Sequence, residues 1–411
     1  MFKEPTGTLL IILAIAFAAP LVVTLAPWLR LPALVIEILL GILVGPAVLD
    51  VVAITDPIKL LAEIGLAALI FLAGFEIDPQ RLRGKPLNLA AGGWVMSIAL
   101  GLAFGSALQL TGVIKNEVFV GLALTTTALG VLLPILRDAG ILPTTFGTHM
   151  LAIGSVGEFG PIVAIALVLS GSNLTRSIIT LAIFASVAVL AIALAMHPQP
   201  PRFQQALGST LRSSGQLYIR LAVLLIAALT FAAASLGLDT LLGAFTAGII
   251  YRLLVSAGAS KAEEQQVESK IEALFLGYFV PIFFVVTGIN FDLASLTSSP
   301  IALAKVPLFL GLFLLVRGLP VLLYRSEFPA RSDRMALAVL SATALPLVVA
   351  ITTIGVDAGQ MRPSTAAALV GAGMLSVVVY PVLGFALFNR NKAPALAPLD
   401  SAPPFPLGSE P

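Results

Sequence analysis

The 411-residue chain is 58% hydrophobic and only 11% charged, a balance that excludes an ordinary water-soluble domain and indicates a polytopic membrane protein. Its formal net charge of +2 gives no reason to expect a nucleic-acid partner. The absence of cysteine excludes disulfides and thiolate metal sites, and the two histidines, His149 and His197, indicate no metal cluster. We therefore predict an all-α membrane protein without a resident cofactor.

Thirteen apolar runs are long enough, or nearly so, to cross about 30 Å of hydrocarbon as helices. In chain order they cover residues 6–27, 31–49, 57–76, 88–111, 116–137, 148–171, 177–196, 218–236, 239–255, 271–290, 302–324, 335–356 and 363–389. We predict a transmembrane domain over residues 1–390. Residues 391–411 are rich in Pro and Ala, which favours a disordered tail.

The basic residues of the connecting loops predict the orientation of these helices. If the N-terminus lies outside, sixteen of the 23 Lys and Arg residues fall on the cytoplasmic side and five outside, with Lys305 and Arg317 within a span. The sequence therefore predicts an external N-terminus and a cytoplasmic C-terminus, most simply in a bacterial inner membrane.

Short internal matches pair segments that lie seven apart. The motif GFEID at 74–78 ends the third segment, and GINFD at 288–292 ends the tenth; TAL at 127–129 recurs at 343–345, 216 residues later. Because seven is odd, paired segments cross the membrane in opposite directions. The pattern predicts inverted-topology repeats, about 31–171 and 239–389, as found in secondary transporters.

The fifth and twelfth segments carry hydroxyl groups at their centres and helix breakers beyond them. Hydroxyls satisfy backbone groups that an unwound turn releases, whereas proline cannot continue the helical hydrogen-bond ladder. Both segments are therefore predicted to be discontinuous helices that cross near the membrane midplane. The residues that predict the breaks are Thr125, Thr126, Thr127 and Gly130 in the fifth segment, and Ser341, Thr343 and Pro346 in the twelfth. Alternatively, these hydroxyls and glycines only pack helices together.

The sixth segment places one carboxylate, Glu158, in the middle of the apolar run LAIGSVGEFGPIV. An acid at this depth is costly, so it indicates a partner or a cargo. We predict that Glu158 binds a cation or a proton together with Thr126, Thr127 and Ser155. Two other membrane acids, Glu37 and Glu63, are interpreted as hydrogen-bonded to neighbouring helices, with a cation path as the alternative.

Five stretches resemble the monovalent cation:proton antiporters, close to the Kef-type branch. They are LPALVIEILLGILVGP (31–46), LIFLAGFEID (69–78), LTTTALGVLLPILRDAGIL (124–142), FFVVTGINFDL (283–293) and SATALPLVVAI (341–351). The resemblance implies a thirteen-helix sodium/proton antiporter-like fold with a scaffold, a mobile core and a homodimeric assembly. It also implies that the acid after the first broken helix, here Glu158, binds the cation or proton.

The chain departs from the family at one position beside this acid. The family usually has Asp preceded by Asp, Asn or Gln, whereas here the pair is Gly157-Glu158. Family members also carry a Lys or Arg in the eleventh helix that pairs with the core acids, and Arg317 is similar to that residue. The alternative for Arg317 is snorkelling to the cytoplasmic interface, and Lys305 is predicted to snorkel outward.

These features predict a secondary active transporter that exchanges Na⁺ or K⁺ for protons. Burial disfavours the bare carboxylate of Glu158, and either a proton or a cation neutralises it. With a single titrating acid and a permanent charge on Arg317 for compensation, the exchange is predicted to be electroneutral. Gly41, Gly45, Gly243 and Gly248 are candidates for the interface between core and scaffold.

Two other functions remain open on the sequence alone. A sodium-coupled symporter for an organic anion uses related repeats but needs more polar residues for its substrate. A non-transporting membrane sensor or partner subunit is compatible with the missing acid pair. No nucleophile–base pair or metal-ligand cluster falls in the predicted segments, so we do not predict an enzyme.

Overall fold

The computed structural model describes residues 3–26, 32–77, 84–169, 174–196, 210, 214–238, 240–258 and 260–389, and in these ranges the regular structure is helical throughout. The helices are α1 Pro5–Leu25, α2 Ala33–Val44, α3 Asp56–Phe75, α4 Lys85–Leu110, α5 Glu117–Leu124, α6 Leu129–Asp138, α7 Thr145–Leu169, α8 Leu174–Met196, α9 Leu217–Ser235, α10 Thr240–Gly258, α11 Lys261–Leu274, α12 Val280–Ile289, α13 Leu293–Thr297, α14 Pro300–Gly318, α15 Arg331–Ser341, α16 Pro346–Asp357 and α17 Pro363–Asn389. A π-helical turn, Phe275–Phe279, joins α11 to α12, and a 3₁₀ segment, Leu319–Tyr324, extends α14. The predicted disordered tail, 391–411, lies outside the described residues.

The helices confirm the all-α membrane architecture. Ten helical stretches of the described chain are long and apolar enough to span a membrane, and shorter apolar helices occupy three other predicted positions. Two of the interrupted stretches are those predicted to be discontinuous: α5 and α6 share the fifth predicted segment, and α15 and α16 share the twelfth.

Two predicted boundaries were wrong. The second segment was expected over 31–49, but α2 ends at Val44, because Gly45 precedes Pro46 and a residue before proline is pushed into extended backbone. The tenth was expected from 271, but its helix starts at Lys261. A capping box between Ser260 and Glu263 begins it in a polar stretch that a search for apolar runs passes over.

Close glycine contacts join α2 to α12 and α3 to α10. A Cβ on Gly248 of α10 would lie 2.1 Å from the carbonyl oxygen of Phe71 in α3, and one on Gly41 of α2 would lie 2.3 Å from that of Val285 in α12. The four candidate interface glycines all make close backbone contacts between helices. Gly41 and Gly45 pack on α12, Gly243 packs on α9 and Gly248 packs on α3.

We expect Gly248→Ala to destabilise the protein, because the added methyl group must force α3 and α10 apart. Overpacking of this kind typically costs about 1–3 kcal/mol of unfolding free energy. Thermal unfolding in detergent measures the effect. Gly311→Ala in α14 is the matched control, since a Cβ there meets nothing within 4 Å. Equal melting temperatures for the two variants would contradict this packing.

Candidate cation and proton site

Two interrupted helices meet at the centre of the site. Helix α5 ends at Leu124 and α6 begins at Leu129, while α15 ends at Ser341 and α16 begins at Pro346. Two hydrogen bonds join the breaks. The Ala128 N–H donates to the Thr343 carbonyl at 2.7 Å, and the Thr127 hydroxyl donates to the Ser341 carbonyl at 2.6 Å. The breaks therefore bring together four half-helix ends, two positive and two negative.

The predicted break residues do not all lie in the breaks. Thr125, Thr126 and Thr127 lie between α5 and α6, and Thr343 lies between α15 and α16. Ser341 is the last residue of α15 and Pro346 the first of α16, where a missing N–H costs no helical bond. Gly130 lies in the first turn of α6 instead. A helix tolerates glycine, so Gly130 does not by itself set the end of the break.

Helix α7 holds the first break through a carbonyl that Pro161 leaves free. In a regular helix, the N–H of residue 161 would bond to the carbonyl of residue 157, but proline has no N–H. The Gly157 carbonyl instead accepts the Thr127 N–H at 3.1 Å. Pro161 thus lets the helix that carries Glu158 bind the unwound segment directly.

Glu158 is buried beside the start of α6. Its residue is 2% exposed, and the backbone of Leu129, the first residue of α6, lies close enough to its carboxyl group to stabilise the charged form. A helix N-terminus favours a negative charge at this place. The second carboxyl oxygen, Oε2, is buried without a hydrogen-bond partner among the described residues. The site therefore contains one buried carboxylate oxygen whose bonding capacity is unused.

Arg317 is buried against the first break and does not snorkel. Its residue is 4% exposed. Nε donates to the Thr127 hydroxyl at 2.8 Å, and the two terminal nitrogens donate to the Ser97 hydroxyl and the Ile153 carbonyl at 3.2 Å each. All three acceptors are neutral, and no ion pair between Arg317 and Glu158 is present in the described chain. The guanidinium thus supports the break and α7 rather than bonding to the acid.

The absent side chain at Gly157 makes room for this guanidinium. A Cβ on Gly157 would lie 2.5 Å from a terminal nitrogen of Arg317 and 2.9 Å from the Thr127 hydroxyl oxygen. Real Cβ atoms do not approach other atoms so closely. Where the family usually has a larger side chain before the acid, this chain has Gly157, and the Arg317 guanidinium fills the space that the missing side chain leaves beside Glu158.

The remaining predicted hydroxyls bond to backbone carbonyls three or four residues before them. Thr125 donates to Leu122, Thr126 to Ala123 and Ser155 to Leu151, each to a backbone carbonyl at 2.8 Å. Each hydroxyl oxygen keeps lone pairs that can still accept a bond or ligate a cation. In the described chain no group of three or more His, Cys, Asp or Glu residues is placed to hold a metal ion, so a cation here needs neutral oxygens beside Glu158.

Ser376 is a supporting residue that sequence reasoning missed. Its hydroxyl bonds both to the N–H and to the carbonyl of Ala344, in the second break, at 2.9 Å each. The internal repeat of the sequence could have identified Ser376. At the offset of 216 residues, Gly157 and Gly160 of α7 correspond to Gly373 and Ser376 of α17, which packs on the second break as α7 packs on the first.

Lys305, Glu37 and Glu63 differ from expectation. Lys305 is only 5% exposed and donates to the Thr365 hydroxyl at 3.1 Å, so it does not snorkel outward. Thr365 is the third residue of α17, and its hydroxyl accepts this bond from Lys305. Neither acid has the expected hydrogen bond within the described residues. Glu37 is buried in α2, whereas Glu63 is exposed in the wall of a cavity.

That cavity has a volume of about 700 Å³ and opens where α3, α10 and α17 begin and where α12 and α16 end. Its polar lining includes Lys59, Glu63, Asn290, Asp292, Thr352 and Asp357. Its apolar lining includes Phe283, Val349 and Ala350, the last two about one turn beyond Pro346. An open cavity with a partly polar lining therefore approaches the crossed helices from one end of the molecule.

Crossed discontinuous helices with a buried acid beside them are typical of the sodium/proton antiporter fold. A structure of the sodium proton antiporter MjNhaP1 from Methanocaldococcus jannaschii at pH 8 has this fold, with a TM-score of 0.63 and 17% identity over 91% of this chain and 97% of that one. The chain belongs to the sodium/hydrogen exchanger family, whose transmembrane-domain model matches residues 13–390.

Two curated relatives illustrate the range of this family. The candidate Na⁺/H⁺ antiporter YjbQ of Bacillus subtilis (strain 168) is 25% identical over an alignment of 411 residues, gaps included, that covers 96% of this chain and 65% of that protein. The glutathione-regulated potassium-efflux system protein KefC of Escherichia coli O6:K15:H31 is 25% identical over 382 residues, 91% of this chain and 59% of that protein. The chain thus spans less than two thirds of either relative.

Proposed function

We propose that this chain exchanges Na⁺ or K⁺ for protons across a bacterial inner membrane, with Glu158 as the shared binding group. The observation that carries the proposal is the unpaired, fully buried Oε2 of Glu158 at the crossing of the broken helices. A bare carboxylate there lacks solvation, and a proton or a desolvated cation neutralises it equally. Because both loaded forms are neutral, both cross at low cost and the empty charged form does not.

Alternating access then requires the site to open to each side in turn. The 700 Å³ cavity supplies one entrance. In the orientation that the basic loops favour, this entrance is external, and Glu63 and Asp292 in its wall attract cations. A scaffold of α2, α3, α10 and α12, interlocked through glycines, lets the crossed helices move as a separate core, and a homodimer would hold that scaffold in place.

Reconstituted vesicles with an internal pH indicator test this function. We expect Na⁺, K⁺, Li⁺ or Rb⁺, added to vesicles with an acidic interior, to drive protons out with no organic substrate present. A symporter would need an organic anion, and a sensor or partner subunit would leave the pH gradient unchanged. If none of the four cations produces a proton flux, the proposal is contradicted.

The same vesicles test electroneutrality. Arg317 bonds only to neutral groups and keeps its charge in every state, so one proton replaces one monovalent cation at Glu158. Clamping the membrane potential at zero should leave the Na⁺-driven rate unchanged. A rate that rises on clamping would indicate net charge movement and contradict a single shared carboxylate.

A further inference from the structure

A second unpaired oxygen lies at the crossing, in the second broken helix. Thr343 is 0% exposed, and its hydroxyl oxygen has no hydrogen-bond partner among the described residues. The other hydroxyls of the two breaks are all bonded. An unbonded hydroxyl in a buried site is costly, and so it calls for an explanation.

Thr343 and Thr127 are counterparts in the predicted repeat, but their hydroxyls are used differently. The Thr127 hydroxyl donates to Ser341 and accepts from Arg317, at 2.6 and 2.8 Å. It is therefore committed to holding the breaks together. No arginine or carbonyl engages the Thr343 hydroxyl in this way. Of the two threonines, Thr343 has the oxygen that is free for a ligand.

The backbone of the first break brings Thr343 and Glu158 close together. The N–H of Ala128 bonds to the Thr343 carbonyl at 2.7 Å, and the N–H of the residue before it, Thr127, bonds at 3.1 Å to the carbonyl of Gly157, the neighbour of Glu158. Two consecutive peptide groups of the first break thus hold the backbone beside Glu158 and the backbone of Thr343. The two orphaned oxygens belong to residues held close together in this way, one from each repeat.

We propose that the Thr343 hydroxyl is a ligand of the transported cation, opposite Glu158, an assignment that rests on the proposed function. Alkali cations are bound by oxygens, and a hydroxyl replaces a water of their hydration shell without changing the charge of the site. The counterpart of Glu158 in the second repeat is Met374, so that repeat offers no acid at this position. It contributes a neutral ligand instead, which keeps the loaded site neutral.

This assignment predicts that the proton and the cation, which both bind Glu158, depend differently on Thr343. A proton needs only the carboxylate, whereas a cation needs further oxygens around it. Removing the Thr343 hydroxyl should therefore weaken cation binding and leave proton binding almost unchanged. Thr343→Val keeps the shape of the side chain, and Thr343→Ser keeps the hydroxyl.

The experiment measures cation-driven proton flux in vesicles against cation concentration and pH. For Thr343→Val we expect the half-saturating cation concentration to rise about tenfold or more, which is the effect of losing one ligand. The pH midpoint of the proton-binding limb should stay within about half a unit, and the melting temperature should be equal or higher because an unbonded buried hydroxyl has been removed. Thr343→Ser should bind cations nearly as wild type does.

Thr246→Val in α10 is the matched control, because the Thr246 hydroxyl is buried but bonds to the Leu242 carbonyl of its own helix at 2.7 Å. A wild-type cation dependence in Thr343→Val would overturn the inference, as would equal impairment of the Val and Ser variants. If Thr343→Val fails to fold, Thr343→Ala and Thr343→Ser are compared in the same way. Failure of the wild type to exchange any cation would instead reject the proposed function itself.

Discussion

Glu158→Gln is expected to reduce cation-driven proton flux to the background of empty vesicles. The amide has nearly the shape of the acid but never ionises, so it has no charge to attract a cation and no proton to release. The variant should fold at least as well as wild type, because the amide avoids the cost of a buried charge at a residue that is 2% exposed. Flux and melting temperature in the same preparation therefore separate loss of transport from loss of fold.

Two further variants serve as controls for Glu158→Gln. Glu158→Asp keeps a titrating acid on a shorter side chain and should retain slower exchange. Glu37→Gln changes another buried membrane acid, 5% exposed in α2, and should exchange as wild type does. If Glu158→Gln exchanges like Glu37→Gln, then Glu158 is not the carrier.

Gly157→Ala is expected to abolish exchange and to lower the melting temperature. The added methyl group would lie 2.5 Å from an Arg317 nitrogen, so the guanidinium must leave its bonds to Thr127 and Ile153. Overpacking typically costs about 1–3 kcal/mol of unfolding free energy, and the displaced charge adds to it. Gly371→Ala in α17 is the matched control, because a Cβ there meets Val306 at an ordinary 3.6 Å.

A double-mutant cycle identifies the cause. Arg317→Ala alone should shift the pH profile of exchange or lower stability, because it leaves the hydroxyls of Thr127 and Ser97 without their donor. In the double variant the methyl group at 157 has no guanidinium to displace, so its stability loss should be smaller than the sum of the single losses. Strict additivity would show that the two residues do not share this space.

Much of this architecture could be predicted from local sequence. Apolar length identified the thirteen helix positions, and hydroxyl residues followed by a glycine or a proline identified both interrupted segments. The failures have one physical origin. A glycine indicates that a close contact is needed but not which atom makes it, so the contact between Gly248 and Phe71 could not be predicted.

Contacts between distant segments were likewise hidden from sequence reasoning. Arg317 was recognised as functional, but its bond to Thr127 spans 190 residues, and its expected partner was Glu158. Glu63 was assigned a hydrogen bond that it does not make. It lies in the wall of a cavity that only the packed helices define. A bond between side chains that are far apart in sequence produces no periodic pattern from which the partner could be predicted.

The dependence of cation affinity on pH tests most directly whether one carboxylate serves both cargoes. If proton and cation compete for Glu158, the half-saturating cation concentration should rise about tenfold for each unit of pH decrease below the pKa of this carboxyl group. The maximal rate should stay constant. A half-saturating concentration that does not change with pH, accompanied by a falling maximal rate, would show separate proton and cation sites and contradict this account.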